Sequence, residues 1–113
     1  MKILHNPRCR KSREGLGILE ESGLDFEIVD YLNNPLSEKE IKDLLKKLDM
    51  EPLDLVRKTE AIWKENYRGK DLSPQQVIEA MAQNPKLIER PVVIAGNRAV
   101  IGRPPESIKE LLP

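Results

Sequence analysis

His5-Asn6-Pro7-Arg8-Cys9-Arg10-Lys11-Ser12-Arg13 contains the only cysteine and the only histidine of a 113-residue chain. A cysteine acts chemically as its thiolate, and a free thiol has a pKa of about 8.5. Nearby cations and helix N-termini lower that value, because both stabilise negative charge. Arg8, Arg10, Lys11 and Arg13 crowd around Cys9, although the 19 Lys and Arg of the chain are balanced by 19 Asp and Glu. The Asn6-Pro7 pair marks a turn, and a helix is predicted from about Ser12 to Ser22. Cys9 therefore falls between a turn and a helix start, where free backbone N–H groups also bind oxyanions. A lone cysteine in a small protein is commonly an inert, buried apolar residue. Nothing beside Cys9 is apolar, so the reading here is a reactive thiolate within an anion cradle.

The neighbours of Cys9 have more than one reading. His5 is either a hydrogen-bonded strand-end residue or a group that tunes the thiolate. Ser12 is either an ordinary first-turn residue or a hydrogen-bond donor to the thiolate or a bound anion. It also stands where a dithiol motif would need a second cysteine, so an internal disulfide cycle is excluded and an external thiol must complete any redox chemistry. Helical geometry sends Arg8, Arg10 and Lys11 to different faces, which leaves Arg13 as the local cation expected to share the face of Cys9. One Cys and one His give no credible metal site.

Three distant arginines complete the set of candidate residues. Arg90 precedes Pro91 at the start of an apolar run, Arg103 lies in Gly102-Arg103-Pro104, and Arg57 follows Leu55-Val56. Arg90 and Arg103 flank a predicted hairpin whose ends can face the first strand–helix turn. Guanidinium groups suit tetrahedral oxyanions because they stay charged and donate paired hydrogen bonds. The Arg90-Pro91 bond is a candidate cis peptide.

The elements that must position these residues follow from periodicity and turn chemistry. Lys2 to Leu4 reads as a buried strand, the helix over about 12–22 ends at Gly23, and residues 26–31 form a second strand. Ser37 and Glu40 make a capping box ahead of Ile41, Leu44, Leu45 and Leu48. A short helix is expected over 54–57. Residues 59–70 are highly polar, with Trp63 and Tyr67 as anchors. Ser73-Pro74 opens another helix, which Asn84-Pro85 stops. Residues 91–95 and 99–101 form strands joined by a type II′ turn at Gly96-Asn97, and Pro104-Pro105-Glu106 opens a last helix. A strand–helix–strand unit is parallel and right-handed. With the terminal hairpin it gives an α/β, thioredoxin-like fold: a single domain over 1–113, with a four-stranded mixed sheet and a helical block inserted over roughly 37–84.

Composition narrows the class. The length suits one domain with a real core. A single cysteine suits a reducing compartment, and no signal peptide or membrane span is read, so a cytoplasmic protein is expected. Zero net charge gives no global basic field for nucleic acid. No bound cofactor is expected.

His5-Asn6-Pro7-Arg8-Cys9 with Ser12-Arg13 resembles the active-site segment of the glutaredoxin-coupled arsenate reductases. Glu89-Arg90-Pro91-Val92-Val93, Gly102-Arg103-Pro104 and Leu55-Val56-Arg57 are similar to that family's other signature segments. The resemblance covers essentially the whole chain. It implies that Cys9 attacks arsenate, that Arg57, Arg90 and Arg103 hold the oxyanion or its intermediate, and that His5 lowers the cysteine pKa. It places Asn6, Ser12 and Arg13 in support. It also implies glutathione as co-substrate and glutaredoxin as partner in releasing arsenite. Two alternatives belong beside it: a Spx-like regulator binding RNA polymerase, and a thiol oxidoreductase acting on glutathionylated proteins.

Overall fold

A computed structural model describes residues 1–113. The chain divides into two compact units, Met1–Asn33 with Arg90–Pro113, and Asn34–Glu89.

The first unit holds a four-stranded sheet built from β1 (Lys2–Leu4), β2 (Glu27–Val29), β3 (Val92–Ala95) and β4 (Arg98–Ile101). The order is β2-β1-β3-β4. β1 is parallel to β2, and the β1–β3 and β3–β4 pairs are antiparallel. The parallel pair is crossed by α1 (Arg10–Ser22), as a strand–helix–strand unit requires. This is the thioredoxin-like arrangement. Ile3 pairs with Val93 in register, so both side chains point to one face. Leu19 from α1 and Ile108 from the last helical segment join them in a fully buried cluster. Leu4 pairs with Val92 on the opposite face, and these too are buried.

Local chemistry explains most element ends. Gly23 closes α1 in the left-handed conformation, with φ of 73°, where a side chain would be strained. Gly96 takes φ of 62° while Asn97 does not turn positive, which suits a two-residue hairpin with glycine first. β2 is shorter than the predicted 26–31, because its partner β1 offers only Lys2–Leu4 for pairing; the turn that follows begins at Tyr31, a fully buried residue. The last segment is a 3-10 helix over Pro105–Leu111, where an ordinary helix was expected. Pro105, Ile108 and Leu111 recur every third residue, and a three-residue turn stacks them on one side.

The second unit is helical: α2 (Glu38–Leu48), α3 (Pro52–Leu55), α4 (Ala61–Asn66), α5 (Pro74–Gln83) and a 3-10 turn at Pro85–Leu87. Both sides of the Ser37–Glu40 capping box form, as does a second box between Ser73 and Gln76. The unit buries Ile41, Leu44, Leu55, Met81, Leu87 and Ile88. An isolated bridge between Val56 and Ile88 ties the residue after α3 to the C-terminal end of the unit.

Candidate active site

Cys9 is the N-cap residue of α1, extended at φ −99° and ψ 122°, and the first turn of the helix has no acidic residue. Its sulfur therefore sits at the positive end of the helix dipole, with no carboxylate to oppose a negative charge there. The loop before it is tied from within. The Asn6 carbonyl accepts the Cys9 N–H at 3.0 Å, and Asn6 Oδ1 accepts the Arg8 N–H at 3.0 Å. Asn6, buried between these bonds, shapes the turn with both its carbonyl groups.

Ser12 is completely buried. Its Oγ accepts the Asn6 N–H at 2.9 Å and lies 2.7 Å from His5 Nδ1. The hydroxyl is thus engaged within the loop, while the backbone N–H of Ser12 acts on the thiol. His5 meets Ser12. Burial is the main force lowering the His5 pKa; the Ser12 hydrogen bond opposes it, the charge of Arg13 adds to it, and Glu20 opposes it weakly.

The distant arginines Arg90 and Arg103 converge on the sulfur. Arg103 Nη2 donates to Cys9 Sγ at 3.4 Å, and Arg103 Nε donates to the Arg90 carbonyl at 2.8 Å. Arg90 is itself buried and hydrogen-bonds the thiol. Burial opposes a charged sulfur. The Ser12 N–H, the Arg90 hydrogen bond and the charges of Arg90 and Arg103 outweigh it, so the Cys9 pKa lies below its ordinary value. The Arg90-Pro91 peptide is cis, as its sequence context suggested, and so is Arg103-Pro104.

The other candidates have different surroundings. Arg57 belongs to the second unit, where its guanidinium pairs with Glu60 at 3.5 Å and Glu89 at 3.9 Å. Arg13 was expected to share the face of Cys9; its Nη1 donates to the Pro7 carbonyl at 3.0 Å. Arg10 and Lys11 share Glu14, at 3.0 Å and 3.8 Å, which draws them along the exposed side of α1. Sequence reasoning missed Glu14, Glu60 and Glu89 as partners of these cations. An acidic residue three or four positions away was the available signal for Glu14 and Glu60; none existed for Glu89. No group of three or more His, Cys, Asp or Glu is placed to hold a metal ion, and no helix is long and apolar enough to cross a membrane.

Fold and site together define a thioredoxin-like protein with one activated thiol at a helix N-terminus, flanked by two arginines. Residues 4–111 match the ArsC family. An arsenate reductase of Neisseria meningitidis serogroup A is 40% identical over 99% of this chain and 97% of its own. The uncharacterized protein YfgD of Escherichia coli K12 is 47% identical, over 99% and 96%. The solved arsenate reductase of Vibrio cholerae superposes with a TM-score of 0.93 at 40% identity, covering 99% of this chain and 98% of that one. The chain belongs to the ArsC family.

Proposed function

We propose that this protein reduces arsenate to arsenite, with Cys9 as nucleophile. The observation that carries the reading is the Arg103 guanidinium 3.4 Å from Cys9 Sγ. It stands beside the thiol together with Arg90, at the N-terminus of α1. Such a site favours the thiolate and offers paired donors to the oxygens of an incoming tetrahedral anion. The resemblance to named arsenate reductases over nearly the whole chain supports the choice of anion.

In this reading the Cys9 sulfur displaces an arsenate oxygen, which leaves as water, and a sulfur–arsenic bond forms. Arg90 and Arg103 hold the remaining oxygens; the family resemblance alone extends an oxyanion-binding role to Arg57. His5, Asn6, Ser12 and Arg13 shape the loop that presents the sulfur. Reduction of As(V) to As(III) takes two electrons. With no second cysteine in the chain, they come from outside thiols. Glutathione adds to the arsenic with loss of a second oxygen as water; a glutaredoxin thiolate then takes the glutathionyl sulfur into a mixed disulfide, which leaves As(III) on Cys9, and water cleaves that sulfur–arsenic bond to release arsenite and the Cys9 thiol. A cytoplasmic setting supplies these reductants. The helical unit is read as an insertion within one thioredoxin-like domain.

The test is arsenite production in a coupled assay with glutathione and glutaredoxin. Wild-type protein turns over, Cys9→Ser does not, and Arg90→Ala loses at least about a hundredfold, the scale of removing a donor to developing charge. Absence of turnover by the wild type across several active glutaredoxins overturns the reading.

A further inference from the structure

Arg90 and Arg103 lie just beyond the paired ends of β3 and β4, where Val92 stands opposite Ile101. Gly102 is buried beside the Pro91 ring. Its N–H donates to the Pro91 carbonyl at 2.8 Å. A Cβ built on Gly102 would lie 2.8 Å from Pro91 Cγ and 3.0 Å from Ile108 Cδ1. The first distance is one that real Cβ atoms essentially never show, and the ring, held by the backbone, can yield only by changing its pucker. The φ of Gly102 lies outside the left-handed region. Glycine is therefore required by space and not by backbone torsion, which makes alanine a clean steric probe.

We propose that Gly102 is a positioning residue: its missing side chain lets the Pro91 segment lie against the Gly102–Arg103 segment, so that both arginines reach one sulfur. The consequence runs through two contacts. Pro91 follows Arg90, whose carbonyl receives Arg103 Nε at 2.8 Å. Arg103 follows Gly102 and sends Nη2 to Cys9 Sγ at 3.4 Å. A methyl group that pushes the Pro91 ring outward shifts the Arg90 carbonyl. It thereby releases the anchor that aims Arg103 and withdraws Arg90 from the thiol. The sulfur loses cationic support.

The inference rests on the roles proposed for Arg90 and Arg103, and its test needs no arsenate. Thiolate absorbance is titrated against pH, and alkylation by iodoacetamide is timed at pH 7, with thermal unfolding followed in parallel. Gly102→Ala is expected to fold, to titrate at higher pH than wild type, and to alkylate about threefold more slowly or worse, a loss of the size that a weakened charged hydrogen bond gives. Gly17→Ala is the control, because a Cβ there meets nothing within 4 Å; it leaves the titration unchanged. If Gly102→Ala does not fold, Gly102→Ala/Ile108→Val removes the contact with Ile108 Cδ1 and keeps the contact with Pro91, so it must show the same raised titration. A folded Gly102 variant with a wild-type titration overturns the proposal. So does a double variant that still fails to fold, because Gly102 would then support the unit as a whole. A wild type that titrates low yet never reduces arsenate overturns the proposed function and leaves this inference standing.

Discussion

Hydrogen bonds from Ser12, Arg90 and Arg103 set the chemistry of Cys9 more directly than the crowd of neighbouring charges does. Arg103 reaches the sulfur, whereas Arg10 and Lys11 are paired with Glu14 and Arg13 is turned to a carbonyl. Arg103→Ala is therefore expected to raise the pH at which Cys9 titrates, and Arg10→Ala to leave it unchanged. Thiolate absorbance measured against pH separates the two. His5 makes a second prediction simple, because it is the only histidine. Its pKa is lowered, chiefly by burial, below the unfolded value of about 6.5. Between the folded and unfolded values the unfolded chain binds more protons. This contribution to stability is complete above the unfolded pKa and is lost as the pH falls through the folded one. An imidazole NMR titration should place the midpoint below that of a free histidine. Urea unfolding of His5→Gln should weaken less than wild type on acidification through the same window.

The helices divide into those held by their own ends and those held by packing. α2 and α5 carry complete capping boxes, so Ser37→Ala should cost about 1 kcal/mol in urea unfolding. α4 has no side-chain cap at Glu60. It is anchored by buried Trp63, whose ring stacks on Tyr67 with centroids 5.5 Å apart. α1 contains two glycines with opposite meanings. Gly15 is buried where a Cβ would meet Pro91 Cγ at 2.7 Å, while Gly17 faces open space. Gly17→Ala should stabilise the protein by roughly 0.5–1 kcal/mol, the ordinary cost of glycine inside a helix. A rise in thermal midpoint checks this, and no rise would mean that the α1 backbone is not regular there.

Over the whole molecule positive and negative charges cancel, so long-range steering of an anion towards Cys9 is weak. The local field is not cancelled, since Arg90 and Arg103 act on the sulfur directly and Arg8 and Arg13 are exposed nearby. Such a field reaches about one Debye length, ~10 Å at 0.1 M salt. Relative to an ordinary small thiol, Cys9 should favour anionic iodoacetate over neutral iodoacetamide, and the preference should shrink as salt rises from about 0.01 M to 1 M. A salt-independent ratio would place the active cations out of reach of the incoming reagent.

Sequence alone determined what depends on neighbours in the chain. The cysteine at a turn–helix junction, the Ser37 capping box, the glycine that ends α1, the hairpin turn at Gly96 and the order of strands and helices all rest on contacts within a few residues. The candidate arginines were legible only as residues in unusual company. Tertiary structure decided which of them touch sulfur, because the bond from Arg103 to Cys9 spans 94 positions of the chain, and no local pattern encodes a contact that the sheet order creates. It also decided the uses of Ser12 and Gly102. The Ser12 hydroxyl is engaged with Asn6 and His5 and leaves its backbone N–H to the thiol. Gly102 has no side chain because Pro91 and Ile108, which arrive from elsewhere in the chain, fill that space.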